Sequence, residues 1–369
     1  MRVALVHDYL TQLGGAERVL ESLAAMYPDA PIFTLLYDET GTQGMFRDRD
    51  IRTSFLQRFW GAKKYHRLFP PLMPQAVEAF DLRGFDLVIS SASSFAKGVI
   101  THPGTVHVSF VHTPLRYAWD DSQRYVEEFQ AFPAVLKHLA RPALTYLRLW
   151  DREAAQRPDV LVANSAHVQQ RIRKYYGRDA HIVYPPVRTS TFTDIQRAAD
   201  DAYLMWGRLM AYKRFDLGIR AAASAGVPLR IIGQGPELRQ LKRIAGTNVT
   251  FLGAANDTAL RRELTSAKAV VFPQEEDFGI IAAEALAAGV PVIAFRKGGA
   301  TEIVRDGKDG VFIEEQTTEA LAGAMAGFDP TNFSPDTLRA RAAEFDESVF
   351  VQNMQSVIDR ALTETTCSK

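Results

Sequence analysis

Short, nearly continuous apolar runs rich in β-branched residues recur along the chain: VALVHDY (3–9), LVIS (87–90), VHVSFVH (106–112) and DVLVANS (159–165). After Tyr184-Pro185-Pro186 the series resumes with YLMWGR (203–208), PLRIIGQG (228–235), VTFLG (249–253), AVVFPQ (269–274), VPVIAF (290–295) and VFIE (311–314). Stretches of helical composition, such as GAERVLESLAAMY and ELRQLKRIA, lie between them. Apolar strands alternating with helices predict parallel sheets covered on both faces. The restart after the Pro-Pro pair predicts two doubly wound α/β domains, residues 1–186 and 187–345, hinged near 184–190. The closing SPDTLRARAAEFDESVFVQNMQSVIDRAL reads as helix with no strand after it, so 346–369 is expected as a terminal helical segment. Ligands of open α/β sheets sit beyond the carboxyl ends of the strands. Two such domains facing one another would form a cleft lined by strand ends.

Composition narrows the partners. A chain of 369 residues is long for one core, which agrees with two domains. Hydrophobic residues make up 47% and charged residues 23%, as in ordinary globular proteins. Lys+Arg and Asp+Glu both number 43, so no net charge draws the chain to nucleic acid. The single cysteine, Cys367, excludes a disulfide framework and a cysteine metal cluster. MRVALVHDYL has neither the basic nor the apolar region of a signal peptide, and no run approaches the length of a membrane span. A cytoplasmic protein is expected, with peripheral contact at the inner face of the cytoplasmic membrane left open.

Candidate chemistry gathers at the strand ends. Gly14 and Gly15 follow the first strand and let the backbone approach a ligand, and Ala16 opens a helix whose amide end a phosphate or an anionic sugar group would meet; the other reading is a tight turn. Gly207-Arg208 ends YLMWGR, and Lys213 follows five residues after Arg208. A guanidinium and an ammonium together suit a diphosphate, although both types are usually solvated surface residues. Gly233 and Gly235 end the next strand, where the backbone could edge a nucleobase or simply make a βα turn, and Pro236 suits the first turn of the following helix. In EEDFGIIAAEALAAG, Glu276 and Glu284 are eight residues apart, about 80° around a helix, so they would not share a helical face. With Glu276 in the exit loop and Glu284 one turn into a helix ended by Gly289, the bend lets both acids reach one nucleotide sugar. Phe278, Gly279, Ile280 and Ile281 would offer amide N–H groups to its diphosphate, and Glu284 would accept from ribose hydroxyls. The bland reading of Glu284 is an exposed helix residue. His112 ends VHVSFVH at the mouth of a sheet, either structural or functional.

These residues carry a resemblance over essentially the full length. GGAERV (14–19), FVHTPLRYAW (110–119), ANS (163–165), VYPPV (183–187), GRLMAYKRFD (207–216), IIGQGPE (231–237) and EEDFGIIAAE (275–284) resemble the retaining nucleotide-sugar glycosyltransferases of the GT-B fold marked by E-x7-E, glycosyltransferase family 4. HDYL, GGAERV and EEDFGI look most like bacterial mannosyltransferases that build O-antigen or exopolysaccharide from GDP-mannose. The resemblance implies an acceptor-binding first domain, a nucleotide-sugar-binding second domain and a C-terminal helix crossing back to the first. It implies that Arg208 and Lys213 neutralise the donor diphosphate, Glu284 holds the ribose, Glu276 contacts the transferred sugar and His112 lies near the anomeric carbon or the sugar hydroxyls. No cofactor is expected, and with no His/Cys cluster at ligand spacing a metal clamp on the diphosphate is not indicated.

On the acceptor side, QRFWGAKKYHRLFPP (57–71) interleaves Arg58, Lys63, Lys64 and Arg67 with Phe59, Trp60, Tyr65 and Phe69. FPAVLKHLARPALTYLRLW (132–150) places Lys137, His138, Arg141 and Arg148 among apolar residues. Both suit an anionic bilayer or a saccharide carried on polyprenyl diphosphate; both also suit helices packed on their own sheet. The competing functions are a UDP-sugar transferase, a nucleotide-sugar epimerase and a non-catalytic nucleotide-sugar binder.

Overall fold

The computed structural model describes residues 1–59, 70–120, 134–192, 194–254 and 256–367. It divides into two compact units, Met1–Tyr184 with Phe350–Lys369, and Pro185–Val349.

In the first unit, β1 (Val3–Leu10), β2 (Ile32–Tyr37), β3 (Ile51–Thr53), β4 (Leu87–Ala92), β5 (Val106–Val111), β6 (Val160–Ala163) and β7 (His181–Ile182) pair in the order β3-β2-β1-β4-β5-β6-β7. Every pairing is parallel. Alternation along the pleat sends Val3, Leu5, Ile89, Val108 and Phe110 to one face, against the helix Gly15–Met26 and the C-terminal helix Glu347–Cys367. Phe350, Met354 and Ile358 of that last helix lie in this core, and Phe110 meets Phe350 edge-on at 5.8 Å. Ala4, Val6 and Val88 face the other way, onto Met73 and Val77 and onto Leu147 and Trp150 of the helix Ala134–Ala154. Each fully buried Leu, Ile or Phe contributes about 1.5–3 kcal/mol relative to exposure. One ion pair is sunk in this second layer: Lys97 Nζ lies 2.5 Å from Asp151 Oδ1, both side chains at 0% exposure. Trp119 Nε1 and the Tyr176 hydroxyl each donate to Asp151 Oδ2 at 2.8 Å, so the charge has polar company.

In the second unit, β8 (Tyr203–Trp206), β9 (Leu229–Ile232), β10 (Val249–Gly253), β11 (Val270–Phe272), β12 (Val292–Phe295) and β13 (Gly310–Ile313) pair in the order β10-β9-β8-β11-β12-β13, again all parallel. Strand order reverses between β1 and β4 in the first sheet and between β8 and β11 in the second, which makes these the topological switch points.

The hydropathy pattern omits β2, β3 and β7. β3 and β7 are edge pieces of three and two residues with little burial, too short for a periodic signal. Pro236 lies ahead of the Glu237 cap of the helix Leu238–Ile244 instead of in its first turn. The predicted closing helix is two helices, Pro335–Ala343 and Glu347–Cys367.

Candidate functional site

In the second unit, the exits of β8 and β11 converge at the switch point. Lys213, just beyond β8, and Glu276, just beyond β11, meet Nζ to Oε1 at 2.6 Å. Their side chains are 11% and 16% exposed. Gln274 Nε2 donates to the same Glu276 oxygen at 3.3 Å, while its Oε1 is buried with no partner among the described residues. Burial alone would depress the Lys213 ammonium, but Glu276, Tyr212 and Glu284 outweigh it and hold its pKa above the ordinary value. Glu284 belongs to the helix Ile280–Ala287 and is only 4% exposed, which removes the reading of a solvated helix face. Arg208 stands exposed on the same β8 exit.

Glycine makes this convergence possible. Gly207 has φ +131°, and a Cβ there would lie 3.1 Å from Ile281 Cδ1 and 3.6 Å from Lys213 Nζ. Gly233 has φ +148°, and its Cβ would fall 1.9 Å from the Gly207 carbonyl oxygen; a Cβ on Gly235 would collide with the Leu209 backbone. These two glycines therefore press the β9 exit onto the β8 exit, whatever else they touch. Gly279, at φ +100°, caps the helix that carries Ile280, Ile281 and Glu284, and the Phe278 side chain packs edge-on against Phe345 at 5.6 Å as part of the core.

Several supporting residues escaped the sequence reading. Gly299 N donates to the Glu276 carbonyl at 2.9 Å, and a Cβ on Gly298 would strike that same oxygen; the GG pair in RKGGATEIV was the available signal. Arg214, a non-glycine residue at φ +54°, donates to Gln316 Oε1 at 3.1 Å, and Gln316 Nε2 donates to the Pro273 carbonyl at 2.8 Å. Gln316 thus ties the loop after Lys213 to the loop before Glu276, and nothing local in the sequence marks it.

In the first unit, the β1, β4 and β5 ends carry a polar line across one face. His7 Nδ1 lies 3.1 Å from Ser91 Oγ, Ser91 Oγ lies 2.8 Å from His112 Nε2, and Glu17 Oε1 faces His7 Nε2 at 3.9 Å. Burial, helped by His7, pushes the His112 pKa down to about 3, so the ring is neutral at physiological pH. Asn164 Nδ2 donates to the His112 carbonyl at 3.0 Å. On the opposite face Asp8 accepts from the amides of Ser93, Ser94, Phe95 and Ala96 at 2.6–2.8 Å, which fixes the β4 exit. Gly14 caps the helix that opens with Gly15, and the buried Glu17 side chain sits at that end, Oε2 being 3.1 Å from where a Gly14 Cβ would stand. The Glu17 carboxylate therefore stands in the first turn of the helix whose amide end is the expected place for a phosphate or an anionic sugar group. His7, Asp8 and Ser91 carry no sequence signal beyond polar residues closing apolar strands.

Of the predicted acceptor-side residues, Trp60, Lys63, Lys64, Tyr65, Arg67 and Phe69 lie outside the described residues, as do the side chains of Lys137 and His138. Phe59, Tyr146 and Leu149 are exposed, Leu149 to 65%, while Leu144, Leu147 and Trp150 of the same helix are buried. No helix among the described residues is long and apolar enough to cross a membrane.

Comparison with known proteins agrees with this architecture. The chain is 30% identical over 211 residues, 50% of its length and 48% of the relative's, to a D-inositol 3-phosphate glycosyltransferase of Mycolicibacterium gilvum. It is 29% identical over 199 residues, 46% and 52% of the two lengths, to a GDP-mannose-dependent alpha-(1-6)-phosphatidylinositol monomannoside mannosyltransferase of Mycobacterium tuberculosis. The chain spans about half the length of the curated relatives it matches. Among solved structures, Anabaena Alr3699/HepE in complex with UDP and glucose superposes with TM-score 0.73 at 18% identity, over 98% of this chain and 100% of that one. Sucrose-phosphate synthase from Thermosynechococcus elongatus gives TM-score 0.70 at 17% identity, over 99% and 100%. Family models match in succession, Glycosyltransferase Family 4 over residues 13–191 and glycosyl transferases group 1 over 193–328. The two matches follow one another along the chain, and its two parallel α/β sheets carry the GT-B fold.

Proposed function

We propose that this protein is a retaining glycosyltransferase that moves a sugar from a nucleotide-sugar donor to a saccharide or polyprenyl-diphosphate-linked saccharide in cell-surface polysaccharide synthesis. The observation that carries the reading is the Lys213–Glu276 pair at the β8/β11 switch point, with buried Glu284 adding its charge nearby. A pair of this kind is an internal stand-in: an incoming diphosphate takes Lys213 as its counterion and releases Glu276 to the hydroxyls of the transferred sugar. Arg208 completes the cationic neutralisation. Amides of Phe278, Gly279, Ile280 and Ile281 suit the same anion, and Glu284, acceptor-only when ionised, suits ribose hydroxyls.

Transfer then breaks the bond between the anomeric carbon and the diphosphate oxygen, which keeps the electron pair. The acceptor hydroxyl attacks from the same face and passes its proton to that leaving oxygen. Fixed positive charge stabilises the leaving group throughout, and His112 in the first unit serves saccharide hydroxyls. GDP-mannose is the first-choice donor, supported by the similarity to the mycobacterial mannosyltransferase. A UDP-sugar is the second, supported by the likeness to a fold crystallised with UDP and glucose. Peripheral membrane contact is supported by the exposed Tyr146 and Leu149 on the helix that also carries exposed Arg141.

The test is incubation with GDP-mannose or UDP-glucose, with and without a saccharide acceptor, followed by NMR of the product. Acceptor-dependent release of nucleoside diphosphate with retained anomeric configuration supports the reading. Donor turnover with no acceptor would turn it to an epimerase, and inversion would remove the retaining assignment.

A further inference from the structure

Gln274, just beyond β11, is a buried polar side chain that packing does not explain. It is 3% exposed, and its Oε1 is buried with no partner among the described residues. Its Nε2 donates to Glu276 Oε1 at 3.3 Å, a long bond to an oxygen that Lys213 Nζ already meets at 2.6 Å. Reversing the amide would turn its carbonyl onto the carboxylate, so the donor side faces Glu276. The ligand-free fold thus carries an orphaned carbonyl and gains little from the amide N–H in return. Breaks of this kind gather at functional sites, and this one adjoins the Lys213–Glu276 pair.

The backbone holds this amide in place. The Pro273 carbonyl accepts from Gln316 Nε2 at 2.8 Å, and the Glu276 carbonyl accepts from Gly299 N at 2.9 Å. Gln274 lies between these two pinned residues, whereas the Lys213 ammonium ends a flexible four-carbon stem. Against its own burial, Lys213 is held cationic by Glu276, so their contact is an ion pair. When a diphosphate takes that ammonium, the carboxylate loses its counterion while still largely buried, and the donor that remains on Oε1 is Gln274. We infer that Gln274 is a positioning residue for Glu276: it holds Oε1 while a diphosphate draws Lys213 away, and so presents Oε2 to the ligand. The inference rests on the nucleotide-sugar reading of this site. The Gln274 hydrogen bond matters little while Lys213 is in place and most once Lys213 has turned to the ligand, when an unpaired buried charge is the alternative. Its effect therefore depends on the Glu276 charge, as that of a residue that merely packs does not.

The experiment is a double-mutant cycle of Gln274→Met with Glu276→Gln in the full-length protein, read by calorimetric titration with GDP and with UDP. Gln274→Met keeps the length of the side chain without its donor, and should weaken nucleoside diphosphate binding roughly 3- to 10-fold. In Glu276→Gln, where no charge is left behind when Lys213 moves, the same substitution should change affinity by less than about 2-fold. Without ligand, the unfolding temperature of Gln274→Met should be level or higher, because a buried orphan carbonyl is removed. Gln274→Glu, of equal size and without the donor, should also weaken binding. Equal losses of affinity in both backgrounds, unchanged affinity in Gln274→Glu, or a clear fall in the ligand-free stability of Gln274→Met overturns the inference. Nucleotide binding without sugar transfer removes the transferase reading while the cycle still decides the role of Gln274. No binding of either nucleotide to the wild-type protein removes both.

Discussion

Lys213 and Glu276 are 63 residues apart in sequence, yet Nζ and Oε1 meet at 2.6 Å. β8 and β11 are neighbours in the sheet, and Gly207 and Gly298 let the backbones close in behind the pair. Because the pair must open for a diphosphate to take Lys213, its two members answer differently to substitution. Lys213→Met is expected to weaken nucleoside diphosphate binding by roughly 30-fold or more. Glu276→Gln is expected to tighten bare nucleoside diphosphate by roughly 5-fold, the factor equivalent to about 1 kcal/mol, and to lower turnover about 100-fold. Glu284→Ala should raise the donor Kd by roughly 10- to 100-fold. Calorimetric titration beside steady-state kinetics separates these effects; equal losses of donor affinity in Glu276→Gln and Glu284→Ala would undo the role assignment.

Gly233 offers a structural prediction confined to the second unit. A Cβ there would meet the Gly207 carbonyl oxygen at 1.9 Å, and the backbone sits at φ +148°. Gly233→Ala should destabilise Pro185–Val349 by about 1–3 kcal/mol and loosen the β8 exit. In scanning calorimetry the transition of this unit should drop while a transition assigned to the first unit holds its temperature.

Acid should weaken the first unit through two histidines. His107 and His112 both have folded pKa values near 3, each lowered chiefly by burial, against about 6.5 in an unfolded chain. Folded values below unfolded ones mean that their contribution is complete above pH 6.5. It is lost as pH falls from there toward 3, where only the unfolded chain takes up the protons. Each adds up to about 1.4 kcal/mol per pH unit to the slope. Urea titrations at pH 7.5, 6, 5 and 4 should show that decline; a flat profile for the first unit would contradict it.

The Lys97–Asp151 pair gives a test of burial. Removing one partner leaves a charge at 0% exposure without its counterion, so Lys97→Met or Asp151→Asn alone should cost about 3–5 kcal/mol. The double substitution Lys97→Met with Asp151→Leu should recover most of the loss, as read by a denaturation cycle.

Legibility tracks the range of the interaction. The runs at β1, β5, β8 and β11 were visible because an apolar strand covered on both faces writes its burial locally, and the bend between Glu276 and Glu284 followed from a loop meeting a helix. β2, IFTLLY, is nearly all buried, yet no polar motif follows it to mark a strand end. Glu17, His7 and Ser91 stayed hidden for a different reason. Their contacts exist only once the β1–β4 register sets His7 opposite Ser91, which strand order decides and spacing does not. Gln316 is the same case in the second unit, joined to Arg214 across 102 residues.

The most direct test of the central claim is thermal unfolding of the wild-type protein and Lys213→Met with GDP, UDP, ADP, GDP-mannose and UDP-glucose, in EDTA throughout. A ligand that binds only the folded state raises the unfolding temperature by mass action. A clear rise is expected with GDP or UDP and the matching sugar nucleotide, present in EDTA and largely lost in Lys213→Met. No rise with any nucleotide, or an equal rise in Lys213→Met, would contradict a diphosphate site built on the Lys213–Glu276 pair.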